Sequence, residues 1–558
     1  MISDNKIWVA NNENGEKIFL TPKLANRHGL VAGATGTGKT ITLKVMAESF
    51  SDMGVPVFMA DVKGDISSIA DAGTDSADMQ ERISRFGLDQ AGFSYTGYPV
   101  ALWDIYGEKG MPLRTTISEM GPLLLSRIME LNDTQTDILS IVFKIADDNN
   151  LLLIDTKDLK SMLNYVAENS KDFEAQYGKL SSTSIAAIVR AVVALEIAGG
   201  EKFFGETALN VADLFAIGDG GRGMINILDS SSLINNGKLY STFLLWLLSE
   251  LFEMLPEVGD LDKPKMIFFF DEAHLLFKDA PKALVEKVEQ VVKLIRSKGV
   301  GVYFCTQNPK DIPDGVLAQL GNKVQHALHA YTPADQKAVK AAAQSFRENP
   351  AFNTYETIMA LGTGEAVVSF LEEGGVPGVA QKVSILPPRS QFAALDDARR
   401  DVVIKGNILY SKYEKAYDPE SAYEVLARKG AEDAARAEEE ALAAQEAKEQ
   451  ARAEAQAAKE AEKLEASQAR AQAKAAEMQA RAEARQAEAK AKAEAREAAA
   501  DERRKKQAVK SVGNSVAGTV GREVGKQALS GMGSFGKKLG GNVGASIGRG
   551  LFSTLLKM

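Results

Sequence analysis

The sequence predicts an α/β fold: a parallel-sheet core with a helical insertion, followed by a long charged helix and a Gly-rich C-terminal tail. Three observations carry this expectation. An apolar stretch, Gly29-Leu30-Val31-Ala32, runs directly into the turn Gly33-Ala34-Thr35-Gly36-Thr37-Gly38 and then into the helical Lys39-Thr40-Ile41-Thr42-Leu43-Lys44-Val45-Met46. A second apolar run, Val55 to Ala60, ends in Asp61 and completes a strand–helix–strand unit, the building block of a parallel sheet. Residues 431–508 consist largely of Ala, Glu, Lys, Arg and Gln, a composition that favours helix and cannot bury a core.

The turn after the first strand has a chemical reading. Gly33 to Thr40 satisfies G-x-x-x-x-G-K-[ST] in full. Glycines let the backbone curl so that successive N–H groups converge on a phosphate, the lysine reaches the β- and γ-phosphates, and the Ser/Thr hydroxyl ligates Mg²⁺. The helix that follows presents its positive end to the same anion. Gly33, Ala34, Thr35, Gly36, Thr37, Gly38, Lys39, Thr40 and Ile41 are therefore the expected ATP-binding residues, with Thr40 on Mg²⁺.

Along the chain, residues 1–65 form the first part of the core. In 66–215 helical periodicities such as Ile138-Leu139-Ile141-Val142-Ile145 and Ile185-Ile188-Val189-Val192-Leu195 dominate, so this stretch is expected as the insertion. Sheet signals resume in 216–395, the second part of the core, with Gly223 to Asp229, Lys265 to Phe270, Gly301 to Thr306, Val324 to Leu328 and Ala366 to Phe370. A helical connector (396–430) leads to 431–508. There, heptads of large apolar residues are missing, so a solvated helix of about 110 Å is favoured over a tight coiled coil, with disorder as the alternative. The basic tail, 509–558, carries small residues every fourth position (Gly513, Ala517, Gly521, Gly525; Gly536, Gly540, Gly544, Gly548). That spacing suits self-association or contact with a membrane surface; a flexible basic tail is the alternative.

Composition narrows the classes. The 558 residues carry a formal net charge of −9, and the segment from Arg503 onward holds one acidic residue, Glu523, among many Lys and Arg. The acidic body does not advertise non-specific nucleic-acid binding. One cysteine, Cys305, and four scattered histidines exclude an internal disulfide and make a zinc cluster unexpected. No secretory leader and no stretch of roughly 20 apolar residues is visible, so a cytoplasmic protein without a transmembrane segment is expected.

Hydrolysis needs more than a phosphate loop. Met266-Ile267-Phe268-Phe269-Phe270-Asp271-Glu272 supplies it: Asp271 at a strand end for the Mg²⁺ water shell, and Glu272 next to it to polarise an attacking water. Gln307, at the tip of the following strand, can contact the γ-phosphate. Asp61 ends a strand expected to adjoin the phosphate loop, close to the nucleotide. Arg296 and Arg27 can each neutralise transition-state charge or form a surface salt bridge, and His274 reads as structural.

The order of these motifs resembles the HerA/FtsK superfamily of RecA-like motors, and within it the YjgR-like group of bacterial HerA-type ATPases. The resemblance rests on Arg27-His28, Gly33 to Thr40, Asp61-Val62-Lys63-Gly64-Asp65 and Asn226-Ile227-Leu228-Asp229-Ser230-Ser231. Asp271-Glu272-Ala273-His274, Arg296-Ser297-Lys298-Gly299 and Thr306-Gln307-Asn308-Pro309 complete it, over residues 1 to about 395. It implies a RecA-like P-loop NTPase core and a homo-oligomeric ring, commonly a hexamer, with ATP between subunits. It also implies that Lys39, Thr40, Asp61, Asp271, Glu272 and Gln307 act within one subunit, and that Arg27 and Arg296 belong to the nucleotide site, one of them across the interface. HerA proteins carry an N-terminal β-barrel that helps them dock a nuclease, whereas about thirty residues precede the loop here, so a nuclease partner is doubtful.

The resulting expectation is an ATPase motor acting on DNA as translocase or helicase. The alternative is an ATP-switched scaffold that recruits partners or a membrane surface through its tail. A secretion or conjugation-type ATPase is disfavoured by the lack of a membrane anchor.

Overall fold

A computed structural model describes residues 1–494 apart from 234–236, 260 and 278–281. It divides into two units, 1–441 and 442–558, each taken by itself below.

The first unit is built on thirteen strands. They are β1 (Ile2–Ser3), β2 (Lys6–Asn12), β3 (Lys17–Leu20), β4 (Gly29–Ala32), β5 (Val57–Asp61), β6 (Val100–Asp104) and β7 (Met111–Pro112), then β8 (Ile225–Asp229), β9 (Met266–Phe270), β10 (Val300–Thr306), β11 (Asn322–Gln325), β12 (Glu365–Ser369) and β13 (Gln381–Ile385). Their spatial order is β1-β2-β13-β12-β11-β4-β10-β9-β5-β8-β6-β7, with β3 paired to β2. From β11 to β7 all neighbours are parallel, and from β11 back to β1 they are antiparallel. The parallel strands read as unbroken apolar runs because helices cover both faces. In β9 every residue of Met-Ile-Phe-Phe-Phe is buried, and aromatic pairs bind it to its neighbours: Phe58 stacks on Phe268 at 4.8 Å and Phe270 on Phe304 at 5.5 Å.

This order corrects one expectation. Strand β5 does not adjoin the phosphate-loop strand β4; β10 and β9 lie between them. Asp61 is therefore three strands from the loop.

The segment 66–215 is more than a run of helices. It contributes β6 to the parallel sheet, and Trp103 in that strand donates to the buried Asn226 side chain of β8 at 3.1 Å. A five-residue strand buried on both faces has no alternation to detect. Helices follow over Ile117–Ile128, Asp133–Asp148, Thr156–Glu168, Ser170–Tyr177 and Ser182–Leu195. Three open with reciprocal side-chain caps, Thr116 with Glu119, Asn132 with Gln135 and Asp155 with Asp158. The periodic residues Ile138, Leu139, Val142 and Ile145, and Ile185, Ile188, Val192 and Leu195, all face the core. The first helix of this group packs on the helix Gly237–Met254, whose described side chains are mostly buried.

One stretch, Ser182–Phe203, passes by length and composition alone for a membrane-crossing helix, with a mean hydropathy of 1.6, as core helices of globular domains also do. Its isoleucines, valines and alanines raise the average, and Ile185, Ile188, Val192 and Leu195 pack inward on one face.

The helix Ala422–Glu494 begins in the first unit, and the described side chains it carries past 441 are exposed. It starts nine residues before the low-complexity stretch, where two carboxylates cap its first turn: Glu424 Oε2 accepts from Ser421 N–H at 3.0 Å and Asp158 Oδ1 from Tyr423 N–H at 2.8 Å. The expectations for 509–558, including membrane contact, lie outside the described residues.

Candidate functional site

Parallel strands deliver their C-terminal ends to one edge of the sheet, where open α/β sheets bind ligands. The loop Gly33–Gly38 follows β4, Gln307 follows β10, Asp271 and Glu272 follow β9, and Asp61 ends β5. The loop strand and the Asp271 strand are separated by β10 alone. Two strand spacings amount to about 10 Å, room for a phosphate group and a cation between them.

The loop is shaped by glycine where nothing larger fits. A Cβ on Gly33 would fall 2.5 Å from the Cβ of His326, and one on Gly38, at φ +113°, would fall 3.3 Å from the backbone of Gly364. Cross-links hold it: Ala34 N–H donates to the Ala327 carbonyl at 2.8 Å, Gly364 N–H to that of Thr37 at 3.0 Å, and the Thr37 hydroxyl to that of Ala34 at 2.7 Å. Lys39 Nζ donates to the carbonyls of Gly33 at 2.6 Å and Ala34 at 3.1 Å, which suspends the ammonium over the loop. Burial lowers its pKa, and Asp271 and Glu272 pull the other way. Thr35 and Gly36 are exposed, while Gly38, Thr40 and Ile41 are half-buried at the start of the helix Lys39–Asp52.

Beyond β9 the chain turns sharply. Glu272 adopts φ +49°, a left-handed conformation that non-glycine residues seldom take. Its carboxylate is 5% exposed as a residue and meets three side chains. Gln307 Nε2 donates to Oε1 and Oε2 at 3.2 and 3.3 Å, and Lys63 Nζ pairs with Oε1 at 3.1 Å. His274 Nδ1 lies 3.3 Å from Oε2 without the angle of a hydrogen bond. Burial opposes ionisation of Glu272, yet the Gln307 amide and the Lys63 ammonium outweigh it and hold the carboxyl below the usual glutamate value. Asp271 shifts up instead, through burial and then its neighbour Glu272.

Asp61 is placed differently from its expected role. Its Oδ1 accepts from the N–H groups of Lys63 at 3.2 Å and Gly64 at 2.7 Å, and its Oδ2 from Ile66 at 2.9 Å. The carboxylate builds the turn after β5. Burial, then Asp65, raises its pKa to about 7 against these three donors.

Arg27 and Arg296 do not join the loop within one chain. Arg27 precedes β4 and Arg296 precedes β10, so both stand at the N-terminal edge of strands whose far ends carry the site. The seven residues of β10 alone span about 20 Å at roughly 3.3 Å each. The Arg27 guanidinium lies against Gly375, where a Cβ would fall 2.1 Å from Nη1. A residue close to the loop in sequence is carried away by the length of the strand between.

Two residues that sequence reasoning passed over belong to the site. Lys63 contacts Glu272, a contact that follows from the pairing of β5 with β9. His326 supports the loop from behind: Nε2 is 2.9 Å from the Thr42 hydroxyl and Nδ1 is 2.9 Å from the Glu365 carbonyl. Only its position directly after an apolar strand could have pointed to it.

Known proteins resemble this chain at low identity. The DNA double-strand break repair helicase HerA of Sulfurisphaera tokodaii is 24% identical over 358 residues, covering 61% of this chain and 62% of that protein. Its counterpart in Sulfolobus acidocaldarius is 23% identical over 359 residues, 63% of each. The chain thus spans a little under two thirds of the length of these relatives. Among solved structures, the bacterial conjugative coupling protein TrwB shares 16% identity at a TM-score of 0.47, over 68% of this chain and 89% of that one. VirB4 of Thermoanaerobacter pseudethanolicus shares 14% at 0.45, over 69% and 97%. The profile of the helicase HerA-like C-terminal family spans residues 6–539, and the chain belongs to that family.

Proposed function

We propose that this protein is an ATP-hydrolysing motor that acts on DNA as a translocase or helicase, assembled as a ring with nucleotide between subunits. The observation that carries the ATPase reading is Glu272, ionised and held by Gln307 across β10 from the Lys39 ammonium. A side chain at Gly33 or Gly38 would press on His326 or the Gly364 backbone, so glycine at these positions keeps the curl of the loop. Thr40 and Asp271 offer hard oxygen donors. Among the described residues no cluster of His, Cys, Asp or Glu could hold a metal by itself. That suits Mg²⁺, which keeps several waters and takes phosphate oxygens, and which neutralises phosphate charge when bound.

In this reading Lys39 binds the β- and γ-phosphates, and Gln307 orients water and Glu272 together. Glu272 takes a proton from that water as its oxygen bonds to the γ-phosphorus. The bond from phosphorus to the β–γ bridging oxygen breaks, and ADP leaves with the electron pair. Arg27 and Arg296, on the opposite edge, suit a neighbouring subunit's nucleotide, which supports the ring.

DNA as the substrate follows the HerA relatives, whose names specify it. The test is ATP turnover of the purified full chain with and without duplex DNA over a salt series, with mass by light scattering. Stimulation by duplex at a mass of several subunits is expected. Turnover indifferent to DNA would replace the motor by the ATP-switched scaffold, and no turnover would remove the ATPase.

A further inference from the structure

Lys63 stands on a rigid mount. Asp61 pins the turn after β5 with three backbone hydrogen bonds, and Gly64 closes it at φ +75°. The sheet then decides where the turn points. Strands β5 and β9 are adjacent, with Ala60 opposite Phe270, so the residues just past their ends face one another. From there Lys63 Nζ reaches Glu272 Oε1 at 3.1 Å.

The pair is not an ordinary surface ion pair. Glu272 is 6% exposed at its side chain, whereas Lys63 is 37% exposed. Exposed pairs contribute little because water competes for both partners. Here one partner is shielded, and Gln307 fixes it from the other side. Two donors from two elements hold the carboxylate, Lys63 from the turn after β5 and Gln307 from the end of β10, and the His274 ring lies alongside. Lys63 also interacts with Lys39 and Asp271.

We propose that Lys63 is a positioning residue for ATP hydrolysis: its ammonium, carried on the turn that Asp61 builds, fixes the Glu272 carboxylate beside the phosphate loop and so serves turnover and not nucleotide affinity. This rests on the ATPase reading. It also gives Asp61 its role, as the residue that aims Lys63.

The experiment is steady-state ATPase kinetics of the full chain, together with titration of a fluorescent ATP analogue. Lys63→Met should lower kcat about tenfold or more, a loss typical of misplaced catalytic groups, while KM and analogue affinity stay within about threefold. Lys63→Arg, which can still pair with a carboxylate, should recover most of kcat. In a Glu272→Gln background Lys63→Met should cost almost nothing further, since the group it positions is gone. A rise in KM at constant kcat, full activity of Lys63→Met, no recovery in Lys63→Arg, or additive losses with Glu272→Gln would each overturn the inference. Should Lys63→Met be insoluble, Lys63→Gln replaces it in both the single and the double variant, with the same expected and overturning outcomes. A wild type without turnover would instead refute the ATPase itself.

Discussion

His326 Nε2 sits 2.9 Å from the Thr42 hydroxyl, inside the helix that carries Lys39 and Thr40. Its Nδ1 faces the Glu365 carbonyl, which can only accept, so the ring is protonated at Nδ1 and Nε2 accepts the Thr42 proton. With Gly33 pressed against its Cβ, this imidazole joins the phosphate loop, the loop's helix and β12. The antiparallel flank of the sheet thereby supports the loop from behind.

His326→Asn keeps a donor near the Nδ1 position and loses the Thr42 contact. ATP-analogue affinity is expected to fall several-fold, with stability reduced by about 1 kcal/mol, since the Thr42 hydroxyl keeps only its longer contact, to the Gly38 carbonyl at 3.3 Å. Nucleotide titration and thermal melting measure the two effects. Wild-type affinity in a folded variant would show that the loop holds its shape unaided.

Two buried histidines make stability pH-dependent. Burial lowers both His28 and His326 to about 4, against about 6.5 in an unfolded chain. On acidification the unfolded chain binds these protons first. Their contribution to stability is therefore intact above about 6.5 and is lost as pH falls toward 4, by at most about 3 kcal/mol each. His28 accepts from Val302 N–H through Nδ1 at 3.0 Å and holds φ +56°. Asn tolerates that conformation and offers an oxygen in place of Nδ1. Melting temperatures of His28→Asn should decline less steeply than wild type between pH 6.5 and 4.5. Parallel curves would place its protonation outside this window.

Asp158 ties the start of the long helix to the helical insertion. Its Oδ2 accepts from Ile154 and Asp155 N–H at 2.8 and 3.1 Å, capping its own helix. Its Oδ1 accepts from the Ser421 hydroxyl at 2.5 Å and Tyr423 N–H at 2.8 Å, capping the next. One buried carboxylate thus serves two helix N-termini, each worth about 0.5–2 kcal/mol. Asp158→Ala should cost about 2–4 kcal/mol in melting experiments and open a protease site near residues 414–421. Unchanged melting and cleavage would mean that the apolar contacts of Leu426 and Val425 suffice.

The phosphate loop and the Asp271-Glu272 step were legible because each is a contiguous pattern with its own local geometry. Gln307 was legible for a related reason: a polar residue ending a buried strand must emerge at the sheet edge. Strand β6 was not, since five residues buried on both faces leave no period. Lys63 and His326 were not, since their contacts depend on which strands become neighbours: β5 beside β9, and β11 beside β4. The same ignorance of strand order put Asp61 next to the loop and gave no warning that Arg27 and Arg296 stand a strand's length away.

That displacement makes a sharp prediction about assembly. If Arg296 completes a neighbour's site, a subunit lacking Lys39 still offers its arginine, and a subunit lacking Arg296 still offers its loop. Lys39→Ala and Arg296→Ala proteins should each be nearly inactive, since a transition-state arginine commonly contributes a factor of about 10³ or more. Mixed and allowed to exchange subunits, they should regain turnover, because interfaces that pair an intact loop with an intact arginine then form. With equal amounts and random exchange, about a quarter of interfaces qualify, and recovery should approach that share of wild type, less any coupling around the ring. The same mixing with Arg27→Ala distinguishes the two arginines. A mixture no more active than its components, at an oligomeric mass matching wild type, would mean that the arginine serves its own subunit's fold and not the nucleotide next door.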